Sequence, residues 1–116
     1  RLTAIRTAYK SGFPIRLCFD PLLAVPDFKS VYGEFLSQVR DALQDIPIKD
    51  ASIGVFRISD GYLKQMRKNR PASALLQYPF INENHVCSYG GRGREMMAFV
   101  KESLSGFLPE DKIFTQ

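Results

Sequence analysis

Two charged residues stand where a parallel sheet gathers its ligands. The apolar run beginning at Ile15 ends at Asp20, and the run beginning at Ser52 ends at Arg57. Each run reads as a strand, and in a parallel sheet loops and helix amino ends converge outside the carboxyl ends of the strands. Parallel pairing would bring Asp20 and Arg57 to one side of the sheet, as an ion pair or as joint contacts to a polar ligand. Arg57 paired simply with Asp20 or Asp60 satisfies the same pattern. Ser59 and Asp60 then head a basic segment, Leu63-Lys64-Gln65-Met66-Arg67.

The segment Gly90-Gly91-Arg92-Gly93-Arg94 offers backbone N–H groups and two guanidinium groups ahead of a helix, a setting that suits an anion. It lacks the spacing and the Lys-Ser or Lys-Thr of a P-loop, and Met96 stands where a dinucleotide fingerprint needs its third glycine. A flexible basic hinge is the plainer reading. His85 is the one histidine, and its sequence neighbours supply no Ser/Asp arrangement to make it a catalytic base. A hairpin-surface or packing role is expected for it. Tyr78, Phe80 and Tyr89 suit stacking on bases, or else face the core. Cys18 and Cys87 lie 69 positions apart with no CxxC, which argues against zinc or any other metal site. Cys18, in an apolar run, reads as a buried small hydrophobe.

The elements that must position these residues follow from periodicity. Leu2, Ile5 and Tyr9 share a helical face, with Gly12 as a stop. A strand over Pro14–Asp20, apolar on both faces, ends at Pro21. Asp27 is placed to cap a helix in which Phe28, Val31, Tyr32, Phe35, Leu36, Val39 and Leu43 make a wide apolar face. A second buried strand runs over Ala51–Phe56, and a helix between two strands predicts a parallel, right-handed βαβ unit. Ser59 caps the next helix, Asp60 adds negative charge to its first turn, and Leu63 and Met66 face inward while the basic residues face out. Runs over Leu75–Ile81 and His85–Tyr89 predict a hairpin around Asn82-Glu83-Asn84, with Pro79 on an edge. A last helix buries Met96, Met97, Val100, Leu104, Phe107 and Leu108, and Lys112–Thr115 suits a terminal strand.

The expected fold is therefore α/β, a βαβ-type parallel sheet with flanking helices plus a β-hairpin, in one domain. Its βα units occupy 1–73, the hairpin and loop 74–91, and the closing helix and strand 92–116. The 116 residues, 45% hydrophobic and 24% charged, are ordinary for a globular domain. No apolar run is long enough to span a bilayer, so no membrane partner is expected, and the two unclustered cysteines suit the cytoplasm. A net charge of +4 is compatible with a polyanion such as DNA, and Lys64, Arg67, Lys68 and Arg70 cluster, as do Arg92 and Arg94. A solvated helix face and a basic loop would give the same charge.

Several of these segments resemble the spore photoproduct lyase-like branch of the radical S-adenosylmethionine enzymes. They are Ser11-Gly12-Phe13-Pro14-Ile15, Asp20-Pro21, the helix with Tyr32, Gly54-Val55-Phe56-Arg57-Ile58-Ser59, Leu63-Lys64-Gln65-Met66-Arg67, Tyr78-Pro79 and Pro109-Glu110-Asp111-Lys112-Ile113-Phe114. The resemblance covers nearly the whole chain. It implies the later units of a partial (β/α) barrel, a [4Fe–4S] cluster that cleaves S-adenosylmethionine to a carbon radical, and a carboxy-terminal hairpin at damaged DNA. Carried over by position, it places Asp20, Arg57 and Ser59 at the cofactor or substrate chamber, and Tyr78, His85, Tyr89, Arg92 and Arg94 toward DNA. The CxxxCxxC cluster motif is absent, so the cluster ligands are expected upstream of Arg1, and this portion is expected to be inactive alone.

Three functions compete. The first is the carboxy-terminal part of a radical enzyme that repairs pyrimidine photoproducts. The second is a non-catalytic basic α/β module that binds nucleic acid, and the third is a radical enzyme with a non-DNA substrate. An upstream CxxxCxxC would separate the first and third from the second. An uncovered sheet edge and the 1–11 helix also lead us to expect a homo-oligomer.

Overall fold

The computed structural model describes residues 1–116. Helix α1 (Leu2–Lys10) leads into β1 (Ile15–Leu22), α2 (Phe28–Leu43), β2 (Ile48–Val55), β3 (Arg57–Ser59) and α3 (Asp60–Asn69). Then come β4 (Ile81–Glu83), β5 (Val86–Ser88), α4 (Gly91–Ser105), a 3-10 turn over Glu110–Lys112 and β6 (Ile113–Thr115). The strands form two three-stranded sheets, β1-β2-β6 and β3-β5-β4. The first is parallel, with Cys18 opposite Ser52 and Ser52 opposite Phe114. The 16 residues of α2 supply the long crossover that a parallel pair needs.

One core holds this sheet. Ile15, Leu17 and Leu22 of β1, Ile48, Ala51 and Ile53 of β2, and Ile113 of β6 join Leu36, Val39 and Leu43 of α2 and Met96, Val100 and Leu104 of α4. Leu2, Ile5 and Ala8 of α1 pack against the same cluster. Fully burying a side chain such as Leu43 or Ile53 contributes about 1.5–3 kcal/mol. Gly93 lets α4 approach β2, since a Cβ there would lie 3.2 Å from Val55 Cγ2.

Helices α1, α2 and α4 share one core on one face of the sheet, and this corrects the expectation that β1 is buried on both faces. Side chains alternate along a strand, so Arg16 and Cys18 are exposed between the buried Ile15, Leu17 and their neighbours. Cys18 is accordingly a solvent-accessible thiol rather than a core residue.

Other local departures have clear causes. Strand β1 continues past Asp20 through Pro21, which follows a cis peptide, because Leu22 still pairs with Val55. Asp27 precedes α2 in a left-handed conformation and its carboxylate makes no capping bond. Strand β2 begins at Ile48, where its pairing with Ile15 starts. Met66 is 39% exposed, whereas Leu63 is buried with Leu76 and Cys87 in a small second cluster. Residues 71–80 are turns rather than strand, and the hairpin turns at Asn84-His85, both at positive φ. Gly91 to Arg94 already belong to α4, not to a loop. Strand β3 pairs antiparallel with hairpin strand β5.

Candidate functional site

The uncovered face of the parallel sheet is polar and graded along the strands. At its amino end Arg16 Nε lies 3.3 Å from Asp50 Oδ2. Cys18, Ser52 and Phe114 form the next row across the three strands. At the carboxyl end the Asp20 side chain lies over Gly54, where no Cβ competes for the space. No ion pair engages Asp20, so its carboxylate is free to accept hydrogen bonds from a ligand. Of this face the sequence reading named Asp20 as a site residue and missed Arg16, Asp50, Ser52 and Phe114. The signal was present in Ile15-Arg16-Leu17-Cys18-Phe19-Asp20, whose alternation marks a strand covered on one side.

Arg57 lies just past the end of β2, exposed, with its Nη1 donating to the Val55 carbonyl at 3.1 Å. It pairs with neither Asp20 nor Asp60. Ser59 is engaged locally, its hydroxyl accepting from the Tyr62 N–H at 3.4 Å to cap α3.

Around the second sheet, the structure brings together groups that are far apart in sequence. His85 Nδ1 lies 2.8 Å from Asp60 Oδ2, and the same oxygen accepts from Asn82 Nδ2 at 3.3 Å. These bonds, that from His85 foremost, hold the Asp60 carboxyl below the usual carboxylate range. The aspartate that meets His85 arrives from 25 residues away, beyond the sequence neighbours, which supply none. Tyr89 is only 4% exposed and packs edge-on to Tyr78 with ring centroids 4.7 Å apart. Its ring is closed to a stacking base, and burial pushes its phenol upward. Phe80 and Phe56 complete that aromatic cluster.

The basic residues divide into two groups. Arg67 turns inward, its Nε and Nη2 donating to the carbonyls of Leu76 and Tyr78 at 2.6 and 2.8 Å. It pins the 71–80 turns to α3 and is not part of an outward basic face. Arg92 and Arg94 are exposed on the first turn of α4. With Lys29, Ser30, Glu95 and Phe99, Arg92 lines a cavity of about 410 Å³ between the amino ends of α2 and α4.

No three His, Cys, Asp or Glu side chains are placed to hold a metal ion. Cys18 lies on the open sheet face and Cys87 is buried beside Leu63 and Leu76, so these thiols do not form a donor set for an iron–sulfur cluster. No helix is long and apolar enough to cross a membrane.

A parallel sheet covered by helices on one face, with a polar open face and an antiparallel hairpin sheet beside it, is the architecture of a wall of a partial α/β barrel. Three solved structures of spore photoproduct lyase share it: a tyrosine-to-phenylalanine mutant, a cysteine-to-serine mutant, and the enzyme complexed with dinucleoside spore photoproduct. The TM-scores are 0.76, 0.76 and 0.77, each at 14% sequence identity. Each match covers 99% of this chain and 36% of the lyase, so the chain spans about a third of the proteins it matches. The resemblance read from the sequence thus holds at the level of the fold. No protein-family model and no curated sequence matches the chain.

Proposed function

We propose that the chain is the carboxy-terminal part of a radical S-adenosylmethionine enzyme of the photoproduct lyase kind, acting on pyrimidine photoproducts in DNA. The observation that carries this reading is the open polar face, with an unpaired Asp20 at the carboxyl end of a sheet whose fold matches the lyase along nearly its whole length. In this role Asp20 accepts hydrogen bonds from a bound polar group, Gly54 keeps the space beside it clear, and exposed Arg57 meets an anionic group. The bound S-adenosylmethionine and cluster would supply a carbon radical; the cluster's ligands would come from outside these residues. Exposed His85, Arg92 and Arg94 would lie toward DNA, and unpaired thiols suit the cytoplasm.

The test is anaerobic turnover of dinucleoside spore photoproduct by the full-length protein, with Asp20→Asn and Arg57→Ala compared at matched folding. Repair by the wild type, falling at least about tenfold in each variant with unchanged melting, is the expected result. Cleavage of S-adenosylmethionine without repair would reject the photoproduct as substrate and leave a radical enzyme with another substrate. A second reading, a non-catalytic nucleic-acid module, draws on exposed Arg92 and Lys29, neither of which has a carboxylate partner. Failure to cleave S-adenosylmethionine would favour it.

A further inference from the structure

The outward face of α3 carries charge and exposed apolar surface that its folding does not require. From Gly61 to Asn82 the sequence has no Asp or Glu, yet it holds Lys64, Arg67, Lys68 and Arg70. Arg67 is committed to the carbonyls of Leu76 and Tyr78. Lys64, Lys68 and Arg70 stay exposed and no ion pair engages them, whereas Arg6, Arg16 and Lys101 elsewhere each meet a carboxylate.

Helix stability does not account for this arrangement. Cations favour a helix carboxyl end, which explains Lys68 and Arg70 but not Lys64, in the first half of the ten-residue helix. Lys64 and Lys68, four positions apart, repel each other. Tyr62, 74% exposed, and Met66, 39% exposed, turn apolar surface to water with no gain to the core.

The spacing suits a strand of nucleic acid. Neighbours on a helix surface lie three or four positions apart. Tyr62, Gln65 and Lys68 therefore follow one another in a row, with Lys64 one turn before Lys68 and Arg70 just past the last turn. An exposed ring stacks on any base, and cations beside it meet the phosphates, the combination by which single strands are held without regard to sequence. Arg67 ties α3 to the 71–80 turns, so this face is held in place from behind.

We infer that the outward face of α3 is a contact surface for single-stranded nucleic acid, with Tyr62 stacking on a base and Lys64, Lys68 and Arg70 meeting phosphates. This rests on the nucleic-acid reading above and adds a surface separate from the open face of the parallel sheet.

The test is binding of a fluorescein-labelled oligothymidine to the full-length protein, read by anisotropy over a salt series. Lys64→Gln, Lys68→Gln and Arg70→Gln together should weaken binding at least about tenfold at low salt. They should also flatten the slope of log affinity against log salt by about 2, since each phosphate contact on a single strand contributes about 0.7. Lys10→Gln, Lys49→Gln and Lys112→Gln together remove the same charge from exposed sites elsewhere and should change the slope by less than about 0.5. Tyr62→Ala should weaken binding about fivefold or more with the slope unchanged, and Tyr62→Phe should retain wild-type affinity. A slope unchanged in the α3 triple variant, or flattened equally in both triple variants, overturns the α3 surface while leaving the nucleic-acid reading intact. Full affinity in Tyr62→Ala overturns the surface as stated. No binding at any salt concentration overturns both the surface and the nucleic-acid reading.

Discussion

The carboxylate of Asp20 lies over the α-carbon of Gly54 so closely that a Cβ at Gly54 would meet Oδ2 at 2.5 Å and Cγ at 2.6 Å. A side chain and a missing side chain thus define the carboxyl rim of the open face together. Gly54→Ala should force the carboxylate aside and destabilise the fold by about 1–3 kcal/mol. Asp20→Ala should remove most of that penalty. Urea unfolding of the two single variants and the double variant should therefore give a coupling of about 0.5–3 kcal/mol. Additive effects would show that the two residues are independent.

Arg67→Ala should be among the most damaging substitutions of a basic residue. It strips hydrogen bonds from the Leu76 and Tyr78 carbonyls in a part-buried setting, a loss of about 1–3 kcal/mol. Hydrogen exchange should show residues 71–80 opening before the parallel sheet does. Arg67→Lys should recover little, since an ammonium cannot reproduce the guanidinium fork that spans two carbonyls.

Arg57→Ala should leave stability within about 0.5 kcal/mol of wild type, because its contact is one exposed bond to the carbonyl of Val55. Thermal melts of the purified variant decide this. A larger loss would mean that the residue is structural and would count against the role proposed for it above.

Acid should weaken the fold through two carboxylates held below their usual range, Asp45 by its hydrogen bond from Arg6 and Asp60 by that from His85. A group whose folded value is depressed adds stability above its unfolded value and loses it as pH falls through the folded one. Urea midpoints should therefore decline as pH drops from about 5 toward 2. The decline should be shallower in Asp45→Asn and Asp60→Asn. Arg6, whose guanidinium is held charged by the same pair, adds no pH dependence in this window.

The isolated chain should self-associate. Strands β1 and β6 are each paired on one side only, and Phe13, Val31 and Phe35 are 63%, 52% and 45% exposed. Free edges and adjoining apolar surface attract a second copy. Light scattering should give a mass above 13.2 kDa that falls toward that value in a Val31→Glu, Phe35→Glu variant.

The parallel βαβ unit, the capped α3 and the closing helix were legible in the sequence because long periodic runs and a Ser59-Asp60 start leave few alternatives. The open face was less legible. Phe19 and Cys18 made β1 look apolar throughout, and only the placement of α1, α2 and α4 on one side shows which alternate positions stay wet. The Asp60–His85 pair was not legible at all, since it depends on β3 pairing with β5 and carrying the start of α3 to the hairpin tip. Likewise, the inward turn of Arg67 follows from irregular residues 71–80, which have no periodicity to read.

A sheet clothed on one side writes two messages on the same strands. Along β1 and β2, positions such as Leu17 and Ile53 answer to the core, while Cys18 and Ser52, one step away, answer only to what occupies the open side. Under the function proposed above, ligand preference drifts by repainting one set of positions without rebuilding the other. Proteins of this architecture can then lose most sequence identity, keep the scaffold, and differ in the molecule they accept. An alanine scan of the open set alone, read by ligand binding rather than by melting, would map that second message directly.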